Sequence, residues 1–235
     1  IAGPKEAFEN LYLIEQVRKH PVLSGLVGKI HLMGVSLGAN GVLLASLVNK
    51  KNEYKYFDKT ILFCPVVDLP GSFGVQMQNG FFPYFLDWWG SQRFKDLASK
   101  NDFELEPSLN SMLTLSPRWT KGTWSWVEKK YKYQPVWQTY LSKDYYVGDF
   151  KKDYDFFTDK TILPDNLFVL STETDPIVDS SLNYNKLKRK ENKNTFFYQF
   201  PYGYHCSFAY TYEWKFLDQF LAGLLQSPDD ISSDP

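Results

Sequence analysis

The segment Gly28–Gly38, GKIHLMGVSLG, places an apolar run, a glycine-flanked serine and a helix start in immediate succession. From Gly28 to Met33 it is apolar and bounded by glycine, the pattern of a short buried strand. From Ala39 to Asn49 the chain is rich in Ala, Leu and Val, which predicts a helix. Between them lies Gly34-Val35-Ser36-Leu37-Gly38. A strand that enters a helix this abruptly must bend sharply, and small residues on either side of the serine permit the bend. Ser36 then projects free of its own backbone. The backbone N–H of Leu37 falls at a helix N-terminus, suited to hydrogen-bonding an oxyanion.

A bare Gly-x-Ser-x-Gly arises by chance about 0.1 times in a chain of this length, at average Gly and Ser usage. Its placement between strand and helix is what gives it weight. A serine hydroxyl also needs a base to take its proton, so the rest of the chain must supply one.

Outward from this turn, strand and helix alternate. Ala7 to Val17 reads as an amphipathic helix with Phe8, Leu11, Ile14 and Val17 on one face. Lys59 to Val67 (KTILFCPVV) predicts a second buried strand, ending at Asp68. Asn166 to Ser171 (NLFVLS) predicts a third, followed by Thr172-Glu173-Thr174-Asp175-Pro176. Ser180 to Arg189 reads as helix, and Thr195 to Phe200 (TFFYQF) as a fourth strand, with a Pro-Tyr-Gly-Tyr turn leading to His205. A last amphipathic helix runs from about Ser207 to Leu225, and Ser227 to Pro235 is a polar tail. The strands are continuous apolar runs, as in a mostly parallel sheet with helices on both faces. The fold class is α/β.

Composition narrows the function classes. Of 235 residues, 43% are hydrophobic and 23% charged, the balance of a globular chain. A net charge of −1 gives no reason to expect a nucleic-acid or anionic-membrane partner. No apolar run reaches the roughly 18–20 residues of a transmembrane helix. No Gly-rich phosphate loop and no metal-ligand spacing is visible, so neither cofactor nor metal is expected. Two cysteines, Cys64 and Cys206, are too few for a disulfide framework, and that usage suits a reducing compartment such as the cytoplasm.

The aromatic residues are unevenly spread: 22 of 42 lie between Gly71 and Lys160, including six of the seven Trp. Residues 71–160 therefore read as an insertion between two parts of one core, 1–70 and 161–235. Phe81, Phe82, Tyr84, Phe85, Trp88 and Trp89 form a cluster that could line an apolar pocket, with Trp119, Trp124, Trp126 and Trp137 adding surface. Most of these rings read as the insertion's own core, with a few left to face Ser36. Arg93, Lys129 and Lys130 read as a solvated face.

Candidates for the base are few. His20 ends a helix beside Pro21 and reads as a surface or C-cap residue; His31 lies inside the first strand, as a packed and hydrogen-bonded core residue. His205 alone follows the last strand. Four carboxylates compete to orient it: Asp175 after the third strand, Asp68 after the second, then Asp179 and Glu173. Cys206 adjoins His205, but neighbours in an extended loop point in opposite directions, which disfavours a Cys–His pair. Cys64 reads as an inert buried strand residue.

Residues 28–38 (GKIHLMGVSLG), 166–178 (NLFVLSTETDPIV) and 200–208 (FPYGYHCSF) resemble the nucleophile elbow, acid loop and histidine loop of α/β-hydrolases. Ser-Leu-Gly-Ala-Asn from Ser36, Pro-Val-Val-Asp-Leu from Pro65 and Lys-Asp-Tyr-Tyr from Lys143 are similar to the YheT-like branch of that superfamily. The resemblance implies Ser36 as nucleophile, Asp175 as acid and His205 as base, in the chain order Ser, Asp, His of that fold. It favours Asp175, whose Asp-Pro-Ile-Val run matches the family loop, over Asp179; Asp68, which ends a strand at the same edge, is the stronger rival. It implies the C-terminal half of the sheet, with 71–160 in the place of a cap, and hence a preceding segment that holds the first strands and a second oxyanion donor. The expected substrate is a small ester or thioester, lipid-like, with an apolar acyl or aromatic group. An acyltransferase, or a non-catalytic binding protein using the aromatic cap, remains an alternative.

Overall fold

The computed structural model describes residues 3–69, 71–72, 157–207 and 214–225. The chain divides into two compact units, Ile1–Asp68 with Phe157–Pro235, and Leu69–Phe156. Nearly all of the second unit lies outside the described residues. So do the aromatic cluster Phe81–Trp89, the four later tryptophans, and Arg93, Lys129 and Lys130.

The first unit is built on four strands: β1 (His31–Val35), β2 (Lys59–Phe63), β3 (Leu167–Thr172) and β4 (Thr195–Phe200). They hydrogen-bond side by side in chain order, every pair parallel. The helices are α1 (Pro4–Lys19), α2 (Leu23–Leu26), α3 (Leu37–Lys51), α4 (Tyr184–Lys188) and α5 (Trp214–Leu225). This is the expected α/β architecture.

Alternation along β2 assigns the two faces of the sheet. Thr60 bonds Ser46 of α3 through their hydroxyls at 2.6 Å, so Thr60 and Leu62 face α3. Ile61 and Phe63 face the other way, in a buried cluster with Cys64, Leu170, Phe200 and Cys206 that packs against Phe220, Leu221 and Leu224 of α5. Helices thus cover both faces. Helix α3 is mostly apolar and buried from Ala39 to Val48, as befits a helix enclosed by its neighbours. Helix α1 lies over it, burying Ala7, Leu11 and Ile14, with Phe8 and Val17 half-buried. The two helices approach closely at Gly41, where a Cβ would come within 2.9 Å of the Glu6 Cβ.

Three sequence expectations are corrected. The second strand stops at Phe63 rather than Val67, because Cys64 adopts φ 41° and Pro65 has no N–H for the ladder. The helix expected over Ser180–Arg189 forms only at Tyr184–Lys188; Asp179 and Asn183 spend their side chains on nearby backbone groups, which competes with helix. Among the described residues the outer strands are not covered on both faces. Met33 and Val35 of β1 are 51% and 43% exposed, and Phe196 and Tyr198 of β4 are 55% and 58% exposed. Among the described residues no helix is long and apolar enough to cross a membrane.

Candidate active site

Three loops at the carboxyl ends of the strands bring Ser36, Asp175 and His205 together. Ser36 stands between β1 and α3 with φ 55° and ψ −124°, a conformation that L-residues rarely adopt. Its N–H donates to the Phe63 carbonyl at 2.8 Å, so the end of β2 holds the turn in place. The flanking glycines differ. A Cβ on Gly34 would lie 2.6 Å from the Ala39 Cα and 2.9 Å from the Gly38 carbonyl oxygen, whereas one on Gly38 would meet nothing within 4 Å. Gly34 is thus what lets the strand and helix meet. Leu37 opens α3, so its N–H is among the first-turn donors that have no partner inside the helix.

His205 sits at the start of a short 3₁₀ turn, His205–Ser207, beyond β4. Its Nε2 lies 2.9 Å from Ser36 Oγ. Its Nδ1 lies 2.9 Å and 3.1 Å from the two carboxylate oxygens of Asp175. Asp175 also accepts the N–H groups of Ile177 at 2.8 Å, Val178 at 2.9 Å and Cys206 at 3.1 Å. Burial pushes the Asp175 carboxyl up, but the hydrogen bonds from His205, Val178 and Ile177 and the imidazole charge outweigh it, holding the group below its ordinary value. An ionised carboxylate only accepts, so the Nδ1–H of His205 is the donor to it. Nε2 is then left as the acceptor of the Ser36 hydroxyl proton.

Two of the three rival carboxylates are engaged elsewhere, and the third is exposed. Asp68 stands 4.0 Å from Lys186 Nζ, and its N–H donates to the buried Asn183 Oδ1, as does that of Val67. Asp179 accepts the N–H groups of Ser181 and Leu182, and Glu173 is exposed. His20 is the C-cap of α1, and its Nδ1 accepts the Val22 and Leu23 N–H groups. His31 departs from expectation: it is half-buried, and its Nδ1 is enclosed with no hydrogen-bond partner among the described residues.

The cysteines depart further. Cys64 and Cys206 are joined by a disulfide, with Cα atoms 5.0 Å apart and a separation of 142 in sequence. The pair is a single bond rather than a framework, and it removes the ground that cysteine usage offered for a reducing compartment. Nor does Cys206 point away from His205. Its left-handed conformation (φ 57°, ψ 26°) folds it back and sets Sγ 3.4 Å from the imidazole Nε2. The donor atoms of Cys64, Asp175, His205 and Cys206 lie within 4.8 Å of one another, a set that suits a soft metal when the sulfurs are thiolates. The disulfide takes both sulfurs out of that role.

No protein-family model matches the chain, and no curated protein sequence matches it. Among solved structures it is similar to an alpha/beta hydrolase from Penicillium sp. sh18, at 15% identity and TM-score 0.46 over 94% of this chain and 71% of that one. It is similar to an esterase from Pyrobaculum calidifontis, at 16% identity and TM-score 0.46, covering 93% of this chain. A monoacylglycerol lipase from Paleococcus ferrophilus is similar at 16% identity and TM-score 0.44 over 95% of this chain and 75% of that one. The chain spans 58% of the esterase's length.

Proposed function

We propose that this chain carries the reaction centre of a serine hydrolase of the α/β-hydrolase kind, acting on carboxylic esters or thioesters. The observation that carries the reading is the hydrogen-bonded series Ser36 Oγ, His205 Nε2, His205 Nδ1 and Asp175, drawn from three separate loops at one edge of the sheet. In this reading Ser36 Oγ attacks the substrate carbonyl carbon while His205 Nε2 takes its proton. The carbonyl π electrons move to oxygen, and the Leu37 N–H stabilises the oxyanion that results. Asp175 orients the ring and stabilises its cationic form. The Nε2 proton then passes to the leaving alcohol or thiol, leaving an acyl group on Ser36 that water removes through the same base. The apolar acyl or aromatic preference rests on the aromatic content of residues 71–160.

The test is mass spectrometry after treatment with a fluorophosphonate probe. A single adduct on Ser36, absent from Ser36→Ala and His205→Ala, is the expected result, followed by release of product from esters of graded chain length. The absence of an adduct at Ser36 in the folded full-length polypeptide would overturn the reading.

A further inference from the structure

We infer that Cys64 and Cys206 are positioning residues for His205, and that the bond between them holds the imidazole in register with Ser36. The inference rests on the reading of Ser36, His205 and Asp175 given above. Its basis is the short piece of backbone at the end of β2. The Phe63 carbonyl accepts the Ser36 N–H at 2.8 Å. The next residue, Cys64, is covalently joined to Cys206, whose neighbour is His205. Two consecutive residues of one central strand end therefore fix both the serine turn and the histidine turn.

Cys64 is itself well anchored. It is fully buried, and its N–H donates to the Leu170 carbonyl at 2.6 Å, tying it to β3. Both cysteines belong to the cluster of Ile61, Phe63, Leu170 and Phe200 beneath α5. On the loop side, Cys206 is 3% exposed and left-handed, and its N–H donates to Asp175 Oδ2 at 3.1 Å. That conformation is one that a non-glycine residue leaves readily when nothing holds it. The covalent tie opposes its release, and with it any rotation that would draw the His205 ring away from Asp175.

Reduction by a dithiol breaks the Sγ–Sγ bond. The dithiol gives up two electrons and two protons and becomes a disulfide, while Cys64 and Cys206 become thiols. The freed Cys206 thiol then lies where Sγ is now, 3.4 Å from the nitrogen that Ser36 uses. It loosens the loop and competes for Nε2 at once.

The experiment uses the full chain in two states, oxidised and dithiothreitol-reduced, together with the Cys64→Ser/Cys206→Ser double variant. A digest without reductant must first yield the Cys64–Cys206 linked peptide; its absence overturns the inference. Two readouts follow, the downfield proton resonance of the His205 Nδ1–H, assigned by its loss in His205→Gln, and the rate of fluorophosphonate labelling at Ser36. Reduction should shift or broaden the resonance and slow labelling roughly 10–100-fold, the scale of an ångström-sized misplacement. The far-UV circular dichroism should be unchanged, and reoxidation should restore both signals. An unchanged resonance and labelling rate overturn the inference. Loss of the circular dichroism along with them also overturns it, because the bond would then hold the whole fold rather than the ring. If the oxidised chain never labels while its resonance still responds to reduction, the positioning role stands and the hydrolase reading fails.

Discussion

At the scale of the residue, the two glycines around Ser36 make opposite demands. Gly34→Ala drives a methyl group into the backbone of Ala39 and Gly38, neither of which can turn aside. It should cost about 1–3 kcal/mol, the range of an overpacked core, and disturb the turn. Gly38→Ala meets open space inside a helix, so it should be neutral or stabilising by up to about 1 kcal/mol. Urea midpoints of the two variants measure the difference, and equal midpoints would contradict it. Asp175 offers a second test at this scale. Its carboxyl is depressed in the folded state, so the stability it contributes is present above its unfolded pKa of about 3.9 and is lost as pH falls through the folded value. Asp175→Asn lacks this term. The stability gap between wild type and variant should therefore narrow as the solution is acidified below about pH 4. A gap that widens instead would reverse the assignment. Fluorophosphonate labelling of the same variant should fall by on the order of 10⁴, because the amide no longer holds the ring in the required tautomer.

At the scale of the element, the loop after β2 is held from a distance in sequence. The buried Asn183 side chain accepts the N–H groups of Val67 and Asp68 and donates to the Asp179 carbonyl. Asn183→Ala leaves two backbone donors without that acceptor and should destabilise by about 2–4 kcal/mol. Chemical denaturation reads this directly, and a change below the noise of the measurement would sink it. Asn183 also marks where sequence reading stops. Ser36 is legible because strand, glycines and helix adjoin it, and His205 because a single histidine follows the last strand. Asp175 is less so, since Asp68 also ends a strand at the same edge; only the folded chain gives Asp68 to Asn183 and Lys186 and Asp175 to His205. The helix within Ser180–Arg189 is shorter than its propensity suggests for a related reason. Its side chains serve backbone far away or just behind, and helical propensity does not register that use.

At the scale of the whole molecule, the four strands and their parallel sheet are legible in the sequence and their exposure is not. Apolar runs alone make all four strands look enclosed, yet only β2 and β3 are flanked on both sides by another described strand. Hydrogen exchange should follow this order. The amides of Lys59–Phe63 and Leu167–Thr172 should be protected longest, and those of His31–Val35 should exchange sooner, because one edge of β1 meets no described strand. Uniform protection across the four would point to another segment pairing along β1. The disulfide was illegible for a different reason. Two cysteines 142 positions apart carry no local signature, and their meeting depends on the parallel register that brings the ends of β2 and β4 to the same edge.

That bond has a topological meaning as well. It closes residues 64 to 206 into a covalent ring, and the whole of 73–156 lies on the ring. A single cut anywhere in that stretch opens the ring without releasing a piece. The nicked chain should migrate as one band in a denaturing gel without reductant and as two with it. A single cut within 73–156 would thus leave Ser36 and His205 on one covalent molecule.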